Sequence, residues 1–278
     1  MEEPGERGVL CDREDIGWRP VEDQDCRVPY TLKQLDSCPR TEEPEPRGRQ
    51  SIMAQVLPGG FLFRYQLSMD RLDRGPDRDS TLPDLDHISP VPTLDSLSKT
   101  PGHGSAVPFA TLRLGWHDTG MGVQLDVAGK QRPVRCQETT PDSSDGLTLW
   151  IDTRNTQTIH RASRFCHSMT LLPSGGGPGQ DRPIIISRPI ARAREDSPPA
   201  PEAAMRIESR LLSDGYRLQA WIGSDALHGW DTDTIDAVGF TYHVRDKELG
   251  DQLLATSDEF PYDRDPSLWS TLLLAGNN

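Results

Sequence analysis

The chain has 278 residues, enough for one large β-domain or two small ones with a proper core. It carries 30 Lys and Arg against 43 Asp and Glu, a formal net charge of −13, which repels phosphate backbones and argues against nucleic-acid binding without a local basic patch. No apolar run approaches the roughly 20 residues needed to cross a bilayer, and "MEEPGERGVLCDRED" lacks the basic and apolar regions of an export signal, so a cytoplasmic protein with no membrane contact is expected.

Residues 1–50 read as an N-terminal arm, either poorly structured or packed on the body, with a β-domain expected over 51–278. The stretch "CPRTEEPEPRGRQ" (Cys38 to Gln50) is rich in Pro and charge, as linkers are. Before it, "VPYTLKQLDSC" offers one short helix, with Leu32 and Leu35 at i, i+3. The five cysteines are Cys11, Cys26, Cys38, Cys136 and Cys166. Their odd number, with no C-x-x-C pair, fits reduced thiols better than a disulfide framework. Cys11, Cys26 and Cys38 could be read as part of a zinc site, but without close pairing or a nearby histidine free thiols are favoured.

From residue 51 the dominant signal has period two. In "FLFRYQLSM", Phe61, Phe63, Tyr65, Leu67 and Met69 share one face. In "ATLRLGW", Ala110, Leu112, Leu114 and Trp116 alternate with polar residues, and after the turn "HDTG" the pattern returns in "MGVQLDV", which predicts a hairpin. "GLTLWID" sets Leu147, Leu149 and Ile151 against Thr148, Trp150 and Asp152. "YRLQAWI" (Tyr216 to Ile222) and "VGFTYHV" (Val238 to Val244) follow the same rule, and "GSDALHG" between them reads as one helical turn capped by Ser224 or Asp225. Two polar, Pro-rich stretches, from Asp70 to Ser105 and from Pro173 to Pro201, read as long loops outside the core. Short half-buried strands between Gly/Pro/Asp turns predict an all-β fold, a two-layer antiparallel β-sandwich.

The order of strands carries a resemblance. "FATLRLGWHDTGMGVQLDVAGK", "SDGLTLWIDTRN", "GYRLQAWIGSDAL", "AVGFTYHVRDKE" and "RDPSLWSTLLL" together resemble the jelly-roll-like sandwich of carbohydrate-binding module family 9, within the wider DOMON-like group, over residues 105–275. In that family an "L-x-W-D" strand, a "D-S-x-E-I-x-I-D" strand, a "G-Y-x-x-E-x-x-I" strand and a "G-F" strand precede a closing strand introduced by "R-D-P-S". Asp145 to Asp152, Gly239 to Asp246 and Arg264 to Ser267 match the corresponding frames. The resemblance implies a site at one face of the sandwich, where sugar-binding members clamp a sugar between two tryptophans, pyranose C–H faces stacking on aromatic rings. The matched positions here hold Asp142 and Asp263, with Tyr262 one step earlier, and Thr148 stands where the family has an acidic residue holding sugar hydroxyls. The scaffold is therefore implied more strongly than the ligand. Other members of the group bind haem or mediate contacts, and a fold does not settle a function.

The densest cluster of site-like residues follows the strand "GLTLWID", in "TRNTQTIHRASRFCHSMTLLP". Arg154, Arg161 and Arg164 could offer bidentate donors to a carboxylate or to vicinal hydroxyls. In the family the polar residue entering the next strand, here Arg164 or His167, faces the ligand. The alternative is a solvated rim in which these arginines pair with surface carboxylates. A metal held by His160, His167 and Cys166, or a haem on His167 and Met169, lacks the usual spacing. "DEFPYDRDPS" (Asp258 to Ser267) is dense in carboxylates, which raises calcium, though a solvated acidic turn explains it as well. Trp150 and Trp221 sit out of phase with their apolar neighbours and are expected under a loop or on an exposed platform, the loop being favoured. No nucleophile elbow, phosphate loop or H-E-x-x-H motif is present.

The expectation is a non-catalytic module without a required cofactor, with a shallow polar site built from Arg154, His160, Arg161, Arg164, His167, Tyr262 and Arg264. Its expected ligand is a carbohydrate or another polyhydroxylated or anionic small molecule. A protein-docking module is the alternative, and an enzyme with a site assembled from distant loops is the third class.

Overall fold

The computed structural model describes residues 64–76, 81–93, 108–254 and 260–276. The expected N-terminal arm, its short helix, Cys11, Cys26, Cys38, and Phe61 and Phe63 lie outside these residues.

The described residues form eleven strands: β1 (Gln66–Arg71), β2 (Ala110–His117), β3 (Gly120–Ala128), β4 (Gly146–Asp152), β5 (Cys166–Gly176), β6 (Arg182–Arg188), β7 (Met205–Leu212), β8 (Gly215–Gly223), β9 (Ala237–Asp246), β10 (Gly250–Leu253) and β11 (Ser270–Leu274). Helical structure among the described residues is limited to single 3-10 turns. One layer runs β6-β5-β4-β9-β11-β1, with β10 paired to β9, and the other runs β1-β2-β3-β8-β7. Strand β1 belongs to both. Gln66–Met69 pair with Thr271–Leu274 of β11, and Asp70 and Arg71 then pair with Gly115 and Trp116 of β2. Both pairings are parallel, the exceptions in an otherwise antiparallel sandwich.

Alternation decides which face is inside. Leu112, Leu114 and Trp116 of β2 meet Leu147, Leu149 and Ile151 of β4 and Phe240 and Tyr242 of β9 in one apolar cluster. All eight are at most 2% exposed, and each large apolar side chain taken fully from water is worth about 1.5–3 kcal/mol. The predicted β2–β3 hairpin forms in full register, from Ala110↔Val127 to His117↔Gly120. Gly120 at its end adopts φ +144 and packs against the Ile222 carbonyl, closer than any Cβ could.

The two expected loops are more structured than their composition suggests. Residues 173–201 contain the end of β5 and all of β6, in which Ile184, Ile185 and Ile186 pair with β5 across the turn at Gly177–Gln180. In the first loop Leu72, Leu82, Leu85 and Ile88 are buried and cover Trp221, forming a small second core. Short apolar residues spaced by Pro and Asp do not look like a core in sequence, yet folded over a large indole they become one. The turn after β8 is helical at Ser224–Ala226, but Gly223 is its N-cap and no side chain caps it, contrary to the expected Ser224 or Asp225.

A polar groove on the outer face of the β4–β5–β9 layer

The residues of β4 that alternate with its core positions build the floor of a groove. Thr148 lies opposite Thr170 on β5 and His243 on β9, and Trp150 lies opposite Ser168 and Thr241. Thr148, Trp150, Ser168, His243 and Arg245 line a cavity of about 590 Å³, walled by Asp142, by the stretch Arg188–Ala191 and by Phe260–Arg264. The two-residue period of the strand thus separates roles: Leu147, Leu149 and Ile151 hold the layers together, while their neighbours Thr148 and Trp150 face the groove.

Aromatic and polar groups share this site. Trp150 and Tyr262 meet edge to face, centroids 5.5 Å apart at 89°, over a pocket of Cys166, Ala162, Ile190 and Trp269. Trp269 Nε1 donates to the Tyr262 carbonyl at 2.7 Å and fixes the segment that carries the tyrosine. His243 Nε2 lies 2.6 Å from Asp251 Oδ1, which assigns the ring proton to Nε2 and leaves Nδ1 to accept from the Tyr262 hydroxyl at 2.9 Å. On the opposite wall Arg188 forms a two-pronged pair with Asp142, with NH1 to Oδ2 at 2.8 Å. That hydrogen bond holds the Asp142 carboxyl below the usual carboxylate range. Asp142 and Asp263, at the positions matched to the aromatic clamp, both line the groove.

A second cleft of about 390 Å³ adjoins the first, lined by His160, Arg161, Arg192, Pro261, Arg264 and Asp265. Pro261 and Arg264 belong to both. Arg161 is anchored by donating Nε to the Arg192 carbonyl at 2.9 Å and NH2 to the Ala193 carbonyl at 3.0 Å. His160 Nδ1 lies 3.2 Å from Asp265 Oδ2, on a side chain that is 79% exposed, so this His–carboxylate contact is at the surface rather than in a deep pocket.

The residues expected from sequence therefore divide three ways. Tyr262 and Arg264 lie in the groove, and His160 and Arg161 lie in the adjoining cleft. Arg154 and Arg164 are in neither; their guanidiniums stand 4.7 and 5.2 Å from the Phe165 ring, which stacks on His228, and Arg164 approaches Glu195 at 3.7 Å. Those two are the solvated rim. His167 is a correction. It is 1% exposed and points inward with Met169 and Leu171, because strand alternation leaves Cys166 and Ser168 on the outer face. Its Nε2 lies 3.2 Å from the His228 carbonyl, and burial lowers its pKa to about 4. His160, Cys166 and His167 consequently point to three different places, and among the described residues no group of three or more His, Cys, Asp or Glu is arranged to hold a metal ion. Burial likewise pushes the Cys166 thiol up to about 11. Of the calcium candidate "DEFPYDRDPS", Asp258 and Glu259 lie outside the described residues, and Asp265 is occupied in capping the turn at Pro266–Leu268.

Sequence reasoning passed over Ser168, Arg188, His243 and Arg245. Three of them stand on the polar phase of a predicted strand and were marked by nothing else, and Arg188 was hidden in a stretch read as loop.

No protein-family model matches the chain, and no curated protein does. Solved structures do. A carbohydrate-binding module family 9 from Caldicellulosiruptor kristjanssonii in complex with glucose matches with a TM-score of 0.50 at 16% identity, over 76% of this chain and 96% of that one. The fold is that of a family 9 carbohydrate-binding module. A family 9 module from the same organism in complex with cellotriose matches at 0.49 and 18% identity over 76% of this chain and 94% of that one. A protein from Bacteroides uniformis matches at 0.50 and 12% identity over 76% of this chain and all of that one. The resemblance carried by strand order thus extends to the fold in three dimensions.

Proposed function

We propose that the chain is a non-catalytic saccharide-binding module whose ligand lies in the groove over β4, β5 and β9. The observation that carries this reading is the composition of the groove: hydroxyl, imidazole and guanidinium groups of Thr148, Ser168, His243 and Arg245 on a rigid sheet, beside the edge-to-face pair of Trp150 and Tyr262. A saccharide requires both parts, hydrogen-bond partners for its hydroxyls and an apolar patch for its C–H surface. The similarity to family 9 modules supports the fold, and the residues of this groove supply the argument for a sugar. The carboxylate at position 263 offers an acceptor for vicinal hydroxyls where the family stacks an aromatic ring, while Asp142 is held by Arg188. Binding therefore relies on hydrogen bonds more than on a clamp.

Calorimetry with a panel of neutral and acidic saccharides tests it. Wild type is expected to bind at least one of them, and Ser168→Leu, which places a bulky side chain on the groove floor, is expected to abolish binding in protein that still melts cooperatively. Absence of binding to every saccharide, or binding that Ser168→Leu leaves intact, contradicts the proposal.

A further inference from the structure

We infer that the saccharide of this groove carries an anionic substituent, a carboxylate or a sulfate, held in the adjoining cleft by Arg161, Arg192 and Arg264. The inference rests on the saccharide reading above and names its ligand class.

Charge gives the first reason. In a chain where acidic residues outnumber basic ones 43 to 30, the two adjoining clefts are lined by five arginines and three aspartates. The excess positive charge is local and runs against the background of the molecule, which is how a site for an anion is built on an acidic protein.

Hydrogen bonding gives the second. The aspartates are largely committed: Asp142 to Arg188, and Asp265 to the backbone N–H and hydroxyl of Ser267 at 3.0 and 2.6 Å. The arginines of the cleft are not. Arg161 is oriented by two backbone carbonyls, which leaves its NH1 nitrogen available. Neither Arg192 nor Arg264 makes a side-chain hydrogen bond or ion pair with any other described residue. Elsewhere on the molecule arginines have found carboxylates, as Arg217 with Asp86 and Asp126, and Arg71 with Asp118. Three guanidiniums lining one cleft without a carboxylate partner among the described residues offer the planar forks that suit a carboxylate or a sulfate.

Continuity gives the third. Arg264 and Pro261 line both cavities, so a sugar ring in the groove can extend a substituent into the cleft across a single shared wall.

The test is calorimetry on the full chain with paired probes: glucose and glucuronate, galactose and galacturonate, N-acetylglucosamine and its 6-sulfate, with inorganic sulfate alone as control. An acidic member is expected to bind about 10-fold or more tightly than its neutral partner at low salt, with the advantage shrinking as salt rises. Arg192 lines only the cleft, so Arg192→Gln is expected to cut that advantage at least 5-fold, and Arg192→Glu to reverse it, with the neutral sugar's affinity unchanged in both. Whether the uronates or the sulfated sugar gain more identifies the group. Equal binding of neutral and acidic partners, or an advantage that survives Arg192→Glu, overturns the inference while the saccharide reading stands. Binding of inorganic sulfate with no sugar bound overturns both, as does no binding at all.

Discussion

The Tyr262 hydroxyl lies 2.9 Å from Nδ1 of His243, and the same imidazole lies 2.6 Å from Asp251 through its other nitrogen. Three side chains from three separate segments are thereby aligned, and the tyrosine ring is set against Trp150 in the groove. Tyr262→Phe keeps the ring and removes the hydroxyl. It is expected to cost about 1 kcal/mol of stability in denaturant titration and to weaken saccharide binding about 5- to 10-fold by calorimetry. Unchanged affinity would show that the hydroxyl has no part in the ligand's surroundings.

Behind the groove the fold contains a buried ion cluster. Lys130 Nζ lies 2.6 Å from Asp246 and 3.2 Å from Asp145, with the lysine and both aspartate side chains at most 3% exposed. Burial pulls the ammonium's pKa down, but the bonds to Asp246 and Asp145 outweigh it and leave the lysine above its ordinary value. The two carboxylates also accept from the backbone N–H groups of Arg135, Lys247, Glu248 and Leu249, so one ammonium ties together three loops. Lys130→Met strands two buried carboxylates and is expected to lower stability by about 3–5 kcal/mol in guanidinium titration. The neighbouring Tyr216 hydroxyl is buried and has no hydrogen-bond partner among the described residues. Tyr216→Phe is therefore expected to be neutral or to stabilise by up to about 1 kcal/mol, and a clear loss would contradict that reading.

Stability is expected to fall on acidification through His167. Its folded-state pKa of about 4 lies below the ordinary 6.5 because the ring is buried. Above pH 6.5 both folded and unfolded rings are neutral and contribute nothing. Between 6.5 and about 4 the unfolded chain binds a proton that the folded chain cannot, so stability declines with falling pH across that window, by up to about 3 kcal/mol. Melting or denaturant curves at pH 7 and pH 4.5 for wild type and His167→Gln isolate the effect. The variant should lose less stability than wild type between the two pH values, and equal losses would count against a buried neutral ring.

The backbone beneath the rim tolerates little. Gly229 has φ +89, and a Cβ there would come within 2.6 Å of Thr153 Oγ1 and 2.7 Å of Phe165 Cδ1. Gly229→Ala combines left-handed strain with that clash and is expected to cost about 2 kcal/mol or more, read as a lower melting temperature.

The sandwich was legible because strand burial is written at period two: Leu147, Leu149 and Ile151 could face only the core, and they do. The same rule contained the fate of His167, which shares a phase with Met169 and Leu171, but the family's ligand-facing position drew attention away from it. Trp221 was expected beneath a loop and is 5% exposed under Leu72, Leu82, Leu85 and Ile88, whereas Trp150, 8% exposed, keeps only an edge on the groove. What sequence could not supply was the convergence of distant residues. Asp142, Arg188, His243 and Tyr262 come from four segments, and only tertiary structure brings them to one groove. The Arg/His cluster was conspicuous because it is contiguous, yet Arg154 and Arg164 serve the rim and His167 is buried.

The most direct measurement is a map of backbone amide NMR shifts as a saccharide identified by calorimetry is titrated into the protein. The account predicts saturable changes concentrated at Thr148, Trp150, Ser168, His243, Arg245 and Tyr262, with little at Arg154, Arg164 or His167. Changes centred on another face, or no changes at all, would contradict it.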